Sequence, residues 1–160
     1  MRALVRAAIP EVPATAVAVQ ATGHVRVLAP GDERTPSSFH TDAAVGHDDE
    51  ERTLWFALTS AENTAALWGT SLAASLGPER ARLRRGDLLF EGEHIPPCAP
   101  LNVDVGDALL FTTRHVHGAV VNREQTTRVS IDIRVAPLAR ARARNPYVWV
   151  PLAAPSREGQ

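Results

Sequence analysis

The sequence predicts an all-β domain of the jelly-roll or cupin type. Three observations carry that expectation. Twelve prolines and ten glycines cut the 160 residues into short pieces, and no long helical periodicity survives. Short apolar or alternating runs recur between the turn signals, which is the pattern of a sandwich or barrel. Finally, Gly86-Asp87-Leu88-Leu89-Phe90 is echoed twenty residues later by Gly106-Asp107-Ala108-Leu109-Leu110-Phe111. Each Gly-Asp pair is a tight-turn signal between apolar strands.

Taken in order, the chain opens with Arg2 and Arg6 ahead of an alanine-rich stretch that Pro10, Glu11 and Pro13 interrupt. No apolar h-region follows, so the segment is not read as a signal peptide, and the cytoplasm is the expected location. Residues 14–20 and 24–28 read as short strands joined by a turn at 21–23. A polar loop over 30–38 delivers the chain to Phe39-His40-Thr41-Asp42, and GHDDEER (46–52) forms an acidic loop. TLWFAL (53–58) is a strand, 60–64 a turn, AALWGT (65–70) a further strand, and 71–77 one helical turn that Pro78 ends. Arg80, Arg82 and Arg84 alternate with Ala81 and Leu83 as a solvated strand face. The tail from Ala139, with Arg140, Arg142 and Arg144, reads as a surface extension onto which Tyr147 and Trp149 dock back. One domain spans 1–160, with its core at about 24–137 and the extension at 138–160.

Composition excludes several classes. Apolar residues are 44% and charged residues 22%, ordinary for a globular chain. A net charge of −1 gives no reason to expect nucleic acid or an anionic membrane as partner. No apolar run approaches the ~20 residues that span a bilayer. Cys98 is the single cysteine, which excludes an intramolecular disulfide and a thiolate zinc cluster. Any metal must then be held by nitrogen and oxygen ligands, and Cys98 itself reads as inert.

The stretch that carries chemistry is 106–135. Arg128, Ser130, Asp132 and Arg134 alternate there with Val129, Ile131, Ile133 and Val135. Period two puts the four polar residues on one strand face, a row suited to a pocket that holds an anion. His40 and Asp42, two apart, share a face if they lie on a strand. With one distant histidine they make the ligand inventory of a 2-His-1-carboxylate triad, which binds non-haem Fe(II) and leaves positions open. Alone, H-x-D also fits a loop hydrogen bond. Arg128, eleven residues after His117, adds a fork for bidentate recognition of a carboxylate, as the distal end of 2-oxoglutarate requires.

Several motifs together resemble a known family. His40-Thr41-Asp42, Leu54-Trp55-Phe56-Ala57-Leu58-Thr59, Leu67-Trp68, Gly106-Asp107, His117-Gly118 and Thr127 to Val135 follow the order of Fe(II)/2-oxoglutarate-dependent oxygenases. The likeness covers about 24–137 and is nearest the streptomycin-biosynthesis-type subgroup, similar to the phytanoyl-CoA dioxygenase group. It implies a double-stranded β-helix with few flanking helices, iron held by His40, Asp42 and His117, and 2-oxoglutarate anchored by Arg128 and Ser130. O₂ is the further co-substrate, and the implied reaction is hydroxylation of a small polar metabolite, such as a sugar, cyclitol or amino-acid derivative, in a specialised biosynthetic pathway. Desaturation, cyclisation and epimerisation stay open. The expected partner is that small molecule, with a homodimer as the expected assembly.

Secondary candidates follow. His115 shares strand parity with His117 and is placed beside the metal or against substrate. His94 aligns with His115 when the Gly-Asp echoes are superposed, and is a pocket candidate or a surface turn residue. Asn63 and Thr64 are candidates for the keto-acid end of 2-oxoglutarate, or for a plain turn. Trp68 is a substrate platform or core, and Trp55 reads as core. Arg134 holds an anionic substrate group or pairs with Asp132, while His24 and His47 read as solvated. Two rival functions remain: a cupin-type metal isomerase or epimerase using the same ligands, and a metal-free β-barrel binding module in which the three residues only hydrogen-bond.

Overall fold

The computed structural model describes residues 11–13, 16–34, 37–71, 97–144 and 147–152, with only the backbone for 142–144. The first Gly-Asp echo (86–90), the arginine row at 80–84, the helical turn at 72–77 and His94 lie outside these residues, as do the side chains of Arg142 and Arg144. Among the described residues the strands are β1 (Val17–Gln20), β2 (His24–Leu28), β3 (Arg52–Ala57), β4 (Leu67–Gly69), β5 (Ala99–Leu101), β6 (Ala108–Thr112), β7 (His117–Gly118), β8 (Arg128–Pro137) and β9 (Trp149–Pro151). The α-helix found among the described residues, α1 (Leu138–Arg144), lies between the last two. Every strand pairing is antiparallel. The larger sheet runs β6-β3-β8-β1-β9 with β2 also on β8, and the smaller runs β5-β4-β7. No helix among these residues is long and apolar enough to cross a membrane.

The larger sheet is organised by β8. Its ten residues pair with β3 along one edge, and with β2 and then β1 along the other. Its alternation is inverted relative to an ordinary half-buried strand. Arg128, Ser130, Asp132 and Arg134 are buried, whereas Val129, Ile131 and Ile133 are only half-buried. The polar row therefore faces inward, towards the smaller sheet. Between the sheets lies an apolar cluster of Trp55, Ala57, Ala61, Leu67, Val103 and Phe111. On the opposite face Val17, Leu54 and Val135 form a second cluster, with Val12 and Leu152 packed on it.

Three expectations need correction. Residues 138–144 and 147–152 are not a surface extension: α1 buries Ala141 against Ala18 and Ala136, and β9 pairs with β1 as the edge of the larger sheet. Tyr147 does dock, and its partners are the two histidines read as solvated. His24 meets its ring edge-on at 5.3 Å, and His47 stacks on it at 5.8 Å. The strand expected over 65–70 shrinks to β4 because Asn63–Ala65 is a 3₁₀ turn. By contrast β2 has the bounds expected of it, and β3 is displaced by one residue.

Asn122, not singled out by any sequence pattern, holds the loop into β8. It is fully buried, its Nδ2 donates to the carbonyls of Leu28 and Thr126 at 3.0 and 2.8 Å, and its Oδ1 accepts from the Glu124 amide. Asn122→Ala leaves these backbone groups without partners in a dry site. It should lower stability by about 2–3 kcal/mol in urea unfolding; a loss below about 0.5 kcal/mol would mean that water replaces the amide.

Candidate metal centre

The site is assembled by a backbone contact before any side chain acts. His40 and His117 form an isolated antiparallel bridge, each amide donating to the other's carbonyl at 2.9 Å. Residues paired this way project side chains to the same side, and the two imidazole centroids lie 4.6 Å apart. Gly118 permits the approach, because a Cβ there would stand 2.9 Å from the Phe39 Cα.

Asp42 arrives by a different route from the one expected. It is not on a strand with His40. Thr41 caps a 3₁₀ turn, Asp42–Val45, and its Oγ1 accepts from the Ala44 amide. The turn swings the carboxylate back to the histidines, with Asp42 Oδ1 at 3.7 Å from His40 Nε2 and 3.8 Å from His117 Nε2. Ligand atoms of the three residues all lie within 4.8 Å of one another.

Both histidines have their tautomer set. His40 Nδ1 donates to the Ser38 carbonyl at 2.7 Å, and His117 Nδ1 donates to the His115 carbonyl at 3.0 Å. A carbonyl can only accept, so each Nδ1 carries the proton and each Nε2 presents a lone pair toward Asp42. The fields on the two rings differ. Burial drives the His117 pKa down to about 4, against the opposing pull of the Asp42 charge. At His40 burial also acts downward, but the nearby Asp42 carboxylate and the Ser38 hydrogen bond outweigh it and raise the pKa. Asp42 is held well below the usual carboxylate range: burial opposes this, and the contacts to His40, Arg134 and His117 overcome it.

A cavity of about 100 Å³ opens over the triad, with Arg26, Trp55, Leu67, Phe111, Arg128, Asp132 and Arg134 among its walls. Its charges pair unevenly. Arg26 Nε donates to Asp132 Oδ2 at 2.8 Å, and Arg134 forks Asp42 with Nη1–Oδ2 2.6 Å and Nη2–Oδ1 3.1 Å. Arg128 is 3% exposed and donates Nη1 to Ser130 Oγ at 3.1 Å, while its Nε has no partner among the described residues. Its Cζ sits 5.5 Å from the centroid of the Trp55 ring, whose buried Nε1 also lacks a partner. Burial, and then the nearby Arg26 charge, pull the Arg128 pKa down to about 10.

Of the other expected residues that are described, only Arg134 lines this cavity. His115 sits on a turn, its Nδ1 accepting from the Thr112 amide and close to the Thr112 hydroxyl; it serves the site through its carbonyl rather than its ring. Thr64 bonds Glu124, and the Asn63 amide donates to Asn102 Oδ1, so both fasten loops. Trp68 turns its indole N–H to the Asn63 carbonyl, and its neighbour Leu67 lines the cavity instead. Arg134 pairs with Asp42, not Asp132, and so is not available to a substrate anion. Ser130 touches Arg128 from beneath without lining the cavity. Trp55, Phe111 and Arg26 were missed as cavity residues. The inward parity of Trp55, opposite Asp132, was the signal for the first.

No protein-family model matches the chain, and no curated protein matches it. Its fold is shared with solved structures. One is EvdMO1 (23% identity, 83% of this chain and 30% of that one, TM-score 0.61). Another is the non-heme alpha ketoglutarate dependent carbocyclase SnoK from nogalamycin biosynthesis (17%, 84% and 55%, 0.63). A third is the epimerase SnoN in complex with Fe3+, alpha ketoglutarate and nogalamycin RO (19%, 85% and 56%, 0.63). At these identities the likeness is one of fold. The chain spans between 30% and 56% of the length of these three proteins.

His117 links the site to pH. Its folded pKa lies below the ordinary 6.5, at about 4, so the folded state resists protonation more than the unfolded chain does. Stability contributed by neutral His117 is complete above pH 6.5 and is lost as pH falls from 6.5 to about 4. His40, shifted the other way, acts above that window. Urea unfolding of metal-free protein across the window should show the decline; a flat profile would mean His117 is solvated.

Proposed function

We propose that this chain is an Fe(II)- and 2-oxoglutarate-dependent oxygenase on a double-stranded β-helix, with His40, Asp42 and His117 as metal ligands and Arg128 as anchor for the far carboxylate of 2-oxoglutarate. The observation that carries this reading is the charge balance of the cavity. Among the described residues Arg26 has Asp132, Arg134 has Asp42, and Arg128 has no carboxylate. A buried guanidinium without a counter-ion is costly unless a ligand supplies one. The unpartnered Arg128 Nε and Trp55 Nε1 are donors in the same wall. Two neutral imidazoles and one carboxylate form a nitrogen–oxygen donor set suited to Fe(II), with open positions for a chelating keto acid.

The bound iron and 2-oxoglutarate would supply O₂ activation and oxidation of a substrate C–H bond. The chain's own residues do the rest. His40 and His117 present fixed lone pairs, Arg128 grips one end of the co-substrate, and Ser130 orients that guanidinium. Trp55, Leu67 and Phe111 keep water from the centre. A volume of about 100 Å³ is smaller than the ~300–1,000 Å³ of pockets for drug-sized ligands, which suits a compact acid at the bottom of the site. Hydroxylation of a small polar metabolite in a specialised biosynthetic pathway is the preferred outcome, in line with the streptomycin-biosynthesis-type order of motifs. Ring closure and epimerisation compete, since SnoK is described as a carbocyclase and SnoN as an epimerase.

Anaerobic addition of Fe(II) and 2-oxoglutarate should give a weak visible charge-transfer band. Arg128→Ala should weaken 2-oxoglutarate by roughly 2–5 kcal/mol and leave iron affinity unchanged, while His117→Ala loses iron and His115→Ala keeps it. A flat difference spectrum would turn the reading towards the isomerase. Equal loss of iron and 2-oxoglutarate in the Arg128 variant would reduce that residue to a structural role.

A further inference from the structure

Asp42 comes to the metal centre with most of its lone pairs in use. A carboxylate has about four acceptor sites, two on each oxygen. Both on Oδ2 are taken, by Arg134 Nη1 at 2.6 Å and Thr53 Oγ1 at 3.1 Å. On Oδ1 one is taken by Arg134 Nη2 at 3.1 Å. The remaining site belongs to Oδ1, the oxygen that faces both imidazole Nε2 atoms. The fork is held firmly. Arg134 Nη1 also donates to Thr53 Oγ1 at 2.9 Å, Arg134 and Thr53 are opposite each other on β8 and β3, and both are buried.

On the reading of the triad given above, we propose that Arg134 is a positioning residue that restricts Asp42 to one-oxygen coordination and weakens the site for bare metal, reserving a coordination position for 2-oxoglutarate. The reason is geometric and electrostatic. A divalent ion beside two neutral imidazoles is attracted mainly by the carboxylate charge, and Arg134 offsets that charge at contact distance. A carboxylate that bound through both oxygens would occupy one more position, one of those the chelating acid needs. Arg134 therefore trades affinity for the metal alone against affinity for the co-substrate on the metal. This role differs from that of Arg128, which lines the cavity and bonds Ser130 rather than a ligand residue.

The test is titration of Co(II), in place of iron, into the wild-type protein and Arg134→Met, with the visible d–d bands recorded and circular dichroism confirming the fold. Arg134→Met removes the charge and keeps much of the volume. It should bind Co(II) about ten-fold more tightly, because a positive charge at contact distance from the ligating carboxylate is gone, change the d–d spectrum as Oδ2 joins the coordination, and bind 2-oxoglutarate on the Co(II) form about ten-fold more weakly, because a coordination position is then taken. If Arg134→Met does not fold, Thr53→Val decides, because it frees one lone pair on Oδ2 and should shift both affinities in the same directions by a smaller factor. Unchanged or weaker Co(II) binding in the folded variant overturns the proposal while leaving the metal centre intact. A wild-type protein that binds no Co(II) overturns the metal centre itself.

Discussion

A buried cation must find a counter-charge, and in this protein that requirement runs along a single strand. The inward face of β8 carries two arginines, one aspartate and one serine where an ordinary sheet would carry core residues. Burying such a row is tolerable only if each charge is met. Arg134 is met by Asp42 and Asp132 by Arg26 and His24. Arg128 is left with a hydroxyl and the face of Trp55. Among the described residues the unmatched charge resides at one guanidinium, whose position is fixed by the ten-residue strand β8.

The histidines illustrate a second economy of construction. Neither lies in a long strand; β7 has two residues and His40 belongs to an isolated bridge. Two mutual amide–carbonyl bonds nevertheless give the pair the precision of a sheet, and the Ser38 and His115 carbonyls then fix which nitrogen faces inward. The backbone supplies this orientation, and it survives changes in nearby side chains. Only Gly118 is constrained by identity, since the Phe39 backbone occupies the space of any Cβ there.

Much of this was legible in the sequence because it depends on local pattern. The alternation along 128–135 marked a strand with a polar face, the Gly106-Asp107 turn does lead into β6, and His40, Asp42 and His117 do converge. What was not legible depends on partners distant in sequence. Arg134 meets Asp42 across 92 positions, and no local rule separates that pairing from the one with Asp132 two residues away. Asp42 opens a 3₁₀ turn whose signal, Thr41 as cap, is weak beside the H-x-D spacing that suggested a strand. The tail beyond 137 reads as polar from its arginines, yet α1 packs Leu138 and Ala141 on the sheet and β9 takes an edge of β1. Cys98 was read as inert, and burial does push its thiol pKa up, away from the reactive thiolate.

The central claim is that one cavity holds both a three-ligand metal site and, beside it, a buried arginine that no carboxylate meets among the described residues. The most direct measurement is a crystal structure grown anaerobically with Mn(II) and 2-oxoglutarate. The account predicts metal on His40 Nε2, His117 Nε2 and Asp42 Oδ1, with the far carboxylate on Arg128 and within hydrogen-bond reach of Trp55 Nε1. Metal elsewhere, or a carboxylate that ignores Arg128, would contradict it.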